Sequence, residues 1–287
     1  MNEFFCGWYF KCQSEERTLA VIPALHRSRG VQTYSIQLIT DTGAWNVPFW
    51  QGSLRTHGSR PCAVIGANRF SGDGLQLDLH TANLSAVGSL RFHGLSPIRY
   101  DIMGPFRYVP FMECRHCVFS MRHAVNGSLR VNGRDYRFQD GVGYIEGDRG
   151  RSFPRRYVWT QCCFPAGSLM LSVAEIPLGP ARFTGIIGIV QWQGREYRLA
   201  TYLGACAEAI GDGGITVRQG SMALTARLLE KAAHPLLAPA HGAMTRIIRE
   251  GAACRAQYRF VRNGQVLFDC ETARASFEYE YPQEDAP

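Results

Sequence analysis

The chain has 287 residues, 46% hydrophobic and 19% charged, with a net charge of +7. That is enough length for two domains or one large β domain, and enough apolar content to bury a core. The positive charge comes from arginine, since only Lys11 and Lys231 are lysines among 31 basic residues. No block of like charge and no basic repeat occurs, so a nucleic-acid-binding tail is excluded, while a weakly basic face towards anionic lipid or substrate is not.

The opening residues, MNEFFCGWYF, lack a basic segment followed by a long apolar core, so no signal peptide is predicted. The ten cysteines are too sparse for a disulfide scaffold and are expected to be reduced thiols in a cytoplasm. Gly7 to Lys11 forms a short aromatic entry strand. Tyr34, Ile36 and Leu38 alternate with Ser35 and Gln37, the period of a half-buried strand. Leu75, Leu77 and Leu79 repeat the pattern, as do Leu90 and Phe92 around Arg91. Gly52 to Pro61 and Asn68 to Gly74 are rich in turn formers and are predicted to be linkers.

From Ser128 the signals sharpen. Leu129 and Val131 lead into Asn132-Gly133, and Tyr136 and Phe138 lead out; Asn-Gly tolerates the positive φ of a tight hairpin. The same reading applies to Ile186–Trp192 through Gln193-Gly194 into Tyr197, Leu199 and Thr201. It applies again to Tyr258 and Phe260 through Asn263-Gly264 into Val266 and Phe268. The uncharged run from Tyr157 to Ala174 approaches membrane-span length, but Pro165, Ala166 and Gly167 break it, which predicts a buried hairpin. Ser221 to Ala233 has a helical composition yet alternates as Met222, Leu224, Ala226, Leu228; a strand ending in a helical turn fits its hairpin neighbours. Phe277, Tyr279 and Tyr281 close the pattern before a polar, proline-containing tail. Many short antiparallel strands joined by glycine turns predict an all-β sandwich or barrel. The seam falls near 142/143, giving domains 1–142 and 143–287.

The densest run of functional residue types is GYIEGDRGRSFPRRYVWTQ, Gly143 to Gln161. On an extended segment Glu146 and Asp148 point to one face. Two close carboxyls among apolar walls raise at least one pKa, which suits a general acid; Arg149, Arg151, Arg155 and Arg156 could instead hold both ionised in a salt-bridged turn. Phe153, Tyr157 and Trp159 offer ring faces to a cation, at about 0.5–2 kcal/mol each, or are plain core. His116 is a candidate acid or base opposite Glu146, or a hydrogen-bonded structural histidine. Cys114 and Cys117 form a lone Cys-x-x-Cys near His116 and His123; zinc normally takes two such pairs, so no metal is predicted. No G-x-S-x-G, Walker A, H-E-x-x-H or complete G-x-G-x-x-G pattern is present.

The central run resembles the signature of the tocopherol cyclase-like family, a Glu-Lys-Asn-Trp-Gly segment followed by Phe-Pro, aromatics and Gln-Cys. Glu146, Gly150, Phe153, Pro154, Trp159, Gln161 and Cys162 keep the pattern. Asp148 stands where asparagine is usual and Arg149 where tryptophan is usual. Gly7–Lys11 (GWYFK) and Met103–His116 (MGPFRYVPFMECRH) extend the similarity.

The resemblance implies two packed lipocalin-like (calycin) antiparallel barrels and cyclisation of a prenylated quinol to a chroman, with no cofactor. It implies Glu146 and Asp148 as the catalytic pair. His116, Arg149, Phe153, Tyr157, Trp159 and Gln161 are then expected at the substrate, a hydrophobic small molecule whose character implies peripheral contact with a membrane surface. A non-enzymatic carrier of a hydrophobic ligand is the alternative, because fold does not fix function.

Overall fold

The computed structural model describes residues 3–57, 60–109, 112–178, 181–230 and 234–281. The chain forms two compact units. The first holds β1 (Phe4–Gln13), β2 (Thr18–Ser28), β3 (Val31–Thr40), β4 (Ala44–Phe49), β5 (Gly52–His57), β6 (Arg60–Ile65), β7 (Asn68–Ser71), β8 (Gly74–His80), β9 (Ser85–His93), β10 (Cys114–Val131) and β11 (Arg134–Gly150). They make one antiparallel sheet in the order β4-β3-β2-β1-β11-β10-β9-β8-β7-β6-β5. First and last strands pair, so the meander closes on itself except at the seam between β4 and β5. There Gly52 of β5 lies so close to the ring of Tyr34 on β3 that an added Cβ would sit 3.0 Å from it.

The second unit follows the same plan. It contains β12 (Tyr157–Phe164), β13 (Gly167–Leu178), β14 (Ala181–Trp192), β15 (Arg195–Ala200), β16 (Cys206–Gly211), β17 (Gly214–Gln219), β18 (Met222–Glu230), most of β20 (Ala243–Arg262) and β21 (Gln265–Tyr279). The order is β15-β14-β13-β12-β21-β20-β18-β17-β16, with β19 (His234–Ala240) added beside β20. Its seam lies between β15 and β16. The Gln219 amide reaches back to β15, accepting from the Ala200 N–H at 2.9 Å and donating to the Arg198 carbonyl at 3.0 Å.

Each interior is filled by side chains that alternate along the strands, as a pleated sheet requires. In the first unit Trp8, Phe10, Cys12, Ile145, Phe92 and Tyr136 belong to one core, with Phe10 stacked near Phe92 at 6.2 Å. In the second, Val158, Cys162, Phe260, Phe268 and Phe277 do the same. The predicted hairpins form: Asn132, Gln193 and Asn263 take φ of 48°, 48° and 51°, each followed by a glycine at positive φ. Tyr157–Ala174 is the β12–β13 hairpin, with Thr160 and Gln161 fully buried. Among the described residues, no helix is long and apolar enough to cross a membrane. All ten cysteines are free thiols.

Several expectations change. The segments read as linkers, 52–61 and 68–74, hold β5, the start of β6, and β7. Turn-forming residues at their ends hid the inward Ala63, Ile65 and Phe70, all nearly fully buried. Ser221–Ala233 is strand β18 from Met222 to Glu230; its predicted helical turn lies outside the described residues, as does most of the polar tail. Thr201 leaves the strand for a short 3-10 turn, Thr201–Leu203. The units divide between Phe153 and Pro154 rather than at 142/143, because β11 runs unbroken to Gly150 between β1 and β10. Segment 102–109 belongs to the second unit and segment 236–247 to the first. That last segment docks on β3, where the Gln37 amide both donates to and accepts from the Leu237 backbone, at 3.0 and 3.1 Å.

Candidate functional site

β11 positions the site by alternation. From Gly141 onward its odd residues face the core, and two of them are glycines for a steric reason. A Cβ on Gly143 would sit 2.1 Å from the His123 ring, and one on Gly147 would sit 2.5 Å from the Trp8 ring. These rings fill the core across the strand and leave Tyr144, Glu146 and Asp148 on the opposite face. That face is buried too: Tyr144 is 0% and Glu146 4% exposed.

β10 supplies the histidine. His116 is paired in register with Asp148, and Val118 with Glu146. The imidazole Nδ1 lies 2.9 Å from Asp148 Oδ1, and Nε2 lies 3.0 Å from Glu146 Oε2. The Nδ1 contact is a hydrogen bond. The Nε2 contact has ion-pair distance but is off the line of a hydrogen bond, so attraction of charges carries it. The Tyr144 hydroxyl donates to Glu146 Oε2 at 2.5 Å, and the Cys114 thiol donates to Asp148 at 3.4 Å.

Burial is the largest single influence on His116 and disfavours its charge. The adjoining carboxylates outweigh it, Glu146 before Asp148, and hold its pKa well above the usual 6.5. The site therefore keeps an imidazolium between two carboxyl groups at neutral pH. Burial first, then the charge of Asp148, raises the Cys114 and Cys117 thiols well above 9.0, so neither is an activated nucleophile.

Among the described residues, His116, Glu146 and Asp148 are a set whose ligand atoms lie within 4.8 Å of one another. A resident metal fits them poorly. The two ring nitrogens serve different carboxylates, and one ion can take only one nitrogen, short of the four ligands of structural zinc. The Cys-x-x-Cys pair does not gather either, because Cys117 pairs with core-side Gly147 while Cys114 reaches Asp148 on the other face.

The structure separates other residues that the sequence grouped. Register shifts in β10 between Val118 and His123 turn His123 to the core, 4.7 Å from the Phe92 ring. Arg149 has the parity of the core side and is exposed, so it does not share the carboxylate face; Arg156 pairs instead with Glu175 at 3.3 Å. Phe153 precedes β12 and packs edge-on against Phe5 at 5.4 Å, so it is not on one strand face with Tyr157 and Trp159. Those two do share the outer face of β12 with Gln161 in the second unit, where the Tyr157 hydroxyl donates to Glu278 in a short hydrogen bond.

Sequence reasoning missed Tyr144 as a site residue. Tyr144 was visible as the residue two before Glu146 in the same alternation. Lys11 is cross-strand from Tyr144 and fully buried.

The fold and this face define a class: a double antiparallel β-barrel chain with a buried acid–histidine cluster on a closing strand. No protein-family model matches the sequence, and no curated protein matches it. Solved structures do match. CghA, in complex with Sch210972, superposes with a TM-score of 0.64 at 10% identity over 97% of this chain and 88% of that one. Kievitone hydratase from Nectria haematococca gives 0.51 at 7% identity over 97% and 89%. An ATTH protein from Nitrosomonas europaea gives 0.51 at 9% over 98% and 93%. At these identities the likeness shows a shared fold.

Proposed function

We propose that the protein is an enzyme that protonates the double bond of an apolar prenylated phenol and closes it to a chroman. The observation that carries this reading is His116 held between Glu146 and Asp148, with Tyr144 on Glu146, on a buried sheet face. Ring closure needs a proton on the double-bond carbon nearer the ring. This forms a tertiary cation at the other carbon, which the phenolic oxygen traps as its own proton leaves. The reaction is proton-neutral overall, so the protein must give one proton and take one back.

Glu146 delivers the proton that the imidazolium hands to it; its side chain is the drier of the two carboxyl groups, 5% exposed against 23% for Asp148. The imidazolium restores its proton, and Asp148 positions the ring from Nδ1, the arrangement that fixes a catalytic histidine's orientation. The fold supports the same direction, since one neighbour is named as a hydratase, and hydration of an alkene starts from the same protonation.

A carrier of the lipocalin kind holds its ligand inside the barrel. Here both interiors are packed with side chains, which favours chemistry on the outer face. The test uses geranylhydroquinone in D2O. The enzyme returns a chromanol with one deuterium fixed on carbon, and Glu146→Gln loses that product. Recovery of unaltered, undeuterated probe from the wild-type protein makes it a carrier.

A further inference from the structure

We propose that the half-buried backbone at Gly7, between Phe5 and Tyr9, is the seat of the substrate's flat aromatic head group, and that the missing side chain at position 7 selects for it. Trp8, Phe10 and Cys12 face the core, so Phe5, Gly7 and Tyr9 share the opposite face of β1. In register, Gly7 stands between Asp148 of β11 and Ala24 of β2. His116 pairs with Asp148 on the far side, so the row across neighbouring strands reads His116, Asp148, Gly7, Ala24. Phe5 and Tyr9 are buried, while Gly7 and Asp148 are both partly open. The opening in this face therefore lies over Gly7, beside the acid–histidine cluster.

Glycine inside a strand weakens it, and marks a bulge, the close approach of another backbone, or a ligand. The first two do not apply to Gly7. The pairing of β1 with β11 runs from Phe5 to Gln13 without a register shift, and Gly7 is not at positive φ. A Cβ built on Gly7 meets the Ala24 Cβ at 3.3 Å and the Pro23 carbonyl oxygen at 3.7 Å, both on β2. Among the described residues, no other element comes within 3.9 Å of it. Gly143 and Gly147 are different, since a Cβ on either would strike a ring at 2.1 or 2.5 Å. Packing explains those two glycines, and a ligand is the reason left for glycine at position 7.

The dimensions name the class of occupant. Phe5 and Tyr9 are four residues apart on an extended strand, roughly 13 Å. A flat ring standing midway over Gly7 lies about 6–7 Å from each of them, within the range of aromatic pairs. Phe153 packs edge-on against Phe5 at 5.4 Å and holds that wall in place. Asp148 bounds the seat on one side, with the His116 imidazole 2.9 Å behind it. The ring edge that carries the reacting hydroxyl and the prenyl chain then points at the cluster. A ligand without a flat ring makes none of the wall contacts. The inference rests on the reading of this face as the reacting face, and its test reads binding as well as turnover.

Geranylhydroquinone and geraniol, which share a tail and differ by the aromatic head, are titrated into the full chain by calorimetry. The wild type is expected to prefer the aromatic probe about 10-fold or more, the scale of two ring contacts. Gly7→Ala should weaken that probe about 10-fold and Gly7→Val about 100-fold, the scale of overpacking, with geraniol little changed. The urea midpoint of Gly7→Ala should not fall, because alanine suits a strand better than glycine does. A glycine required by the fold would lower the midpoint, and that result overturns the inference. So do equal affinities for the two probes in the wild type, binding of neither, or a Gly7→Val that keeps the wild-type affinity. Should Gly7→Val not fold, Gly7→Ala carries the same expectation. Loss of the preference in Gly7→Ala with no chromanol from the wild type keeps the seat and removes the ring-closure reading. Chromanol from the wild type with a KM unchanged in Gly7→Val does the reverse.

Discussion

The two units are one plan carried out with different chemistry on the closing strand. In the first, β11 pairs with β1 and β10, and Glu146 stands in register between Tyr9 and Val118. In the second, β21 pairs with β12 and β20, and Glu278 stands between Trp159 and Glu250. Each closing strand thus carries an outward glutamate at the same place. In the first, the His116 imidazole lies against that glutamate. Glu278 instead accepts from the Tyr157 hydroxyl, and its opposite neighbour is a second buried glutamate. The scaffold therefore repeats a carboxyl position, while the histidine that makes a proton exchangeable near neutral pH is a feature of the first unit alone.

The largest expected effect separates these two glutamates. Glu146→Gln should slow ring closure of geranylhydroquinone by about 100- to 10,000-fold, the scale of a general acid. Glu278→Gln should slow it by less than about 10-fold, as for the loss of one hydrogen bond that is not part of the acid–histidine cluster. Equal losses in steady-state rate would break the distinction between the units. The next effect is on stability. His116→Ala removes the cation that two carboxyl groups share in a buried place, and should cost about 3–5 kcal/mol in urea unfolding. Tyr157→Phe removes one neutral donor in the second unit and should cost about 1–3 kcal/mol.

Acid and base should also tell the units apart. His26 and His123 are both in the first unit, and burial lowers their pKa to about 4 and about 3. Each is neutral when folded and gains a proton on unfolding, so stability falls as pH drops below about 6.5 towards those values. At about 1.4 kcal/mol per pKa unit the full loss is about 3 kcal/mol for His26 and about 5 kcal/mol for His123. His116 acts in the opposite direction. Its raised pKa contributes stability that is fully present below about 6.5 and lost as pH rises through the folded value. Tryptophan fluorescence cannot assign the unit, but hydrogen exchange followed by mass spectrometry can. Between pH 6 and 4, β1, β2 and β10 should lose protection before β13 and β14.

Most of the all-β reading was legible because alternation and Asn-Gly turns are local signals. Tyr34–Leu38 and Leu75–Leu79 announce strands by themselves, and each became one. The short β5 to β7 were hidden because a four- or six-residue strand shows too few inward positions to rise above its turn residues. At the site, the shared face of Glu146 and Asp148 follows from their spacing of two. The neighbourhood of Arg149 does not, because sequence proximity on a strand places consecutive residues on opposite faces. His123 was misplaced for a related reason: register shifts in β10 change the parity after Val118, and no residue pattern marked them.

The smallest effect concerns how the two closing strands share volume across the same pairing. In the first unit the cross-strand pair is Trp8 with Gly147; in the second it is Val158 with Tyr279. One pair puts its bulk on the first strand, the other on the last. The Trp8 ring therefore covers Gly147, and a Cβ there would sit 2.5 Å from it and 2.9 Å from the Gly7 carbonyl oxygen. Gly147→Ala should cost about 1–3 kcal/mol, as overpacking does. Adding Trp8→Val should recover part of the loss, because it reverses the allocation of bulk towards that of the second unit. In a double-mutant cycle the two changes should couple favourably by at least about 0.5 kcal/mol. Strict additivity would place the strain of Gly147→Ala on the Gly7 backbone rather than on the ring, and the glycine would then be required by strand approach alone.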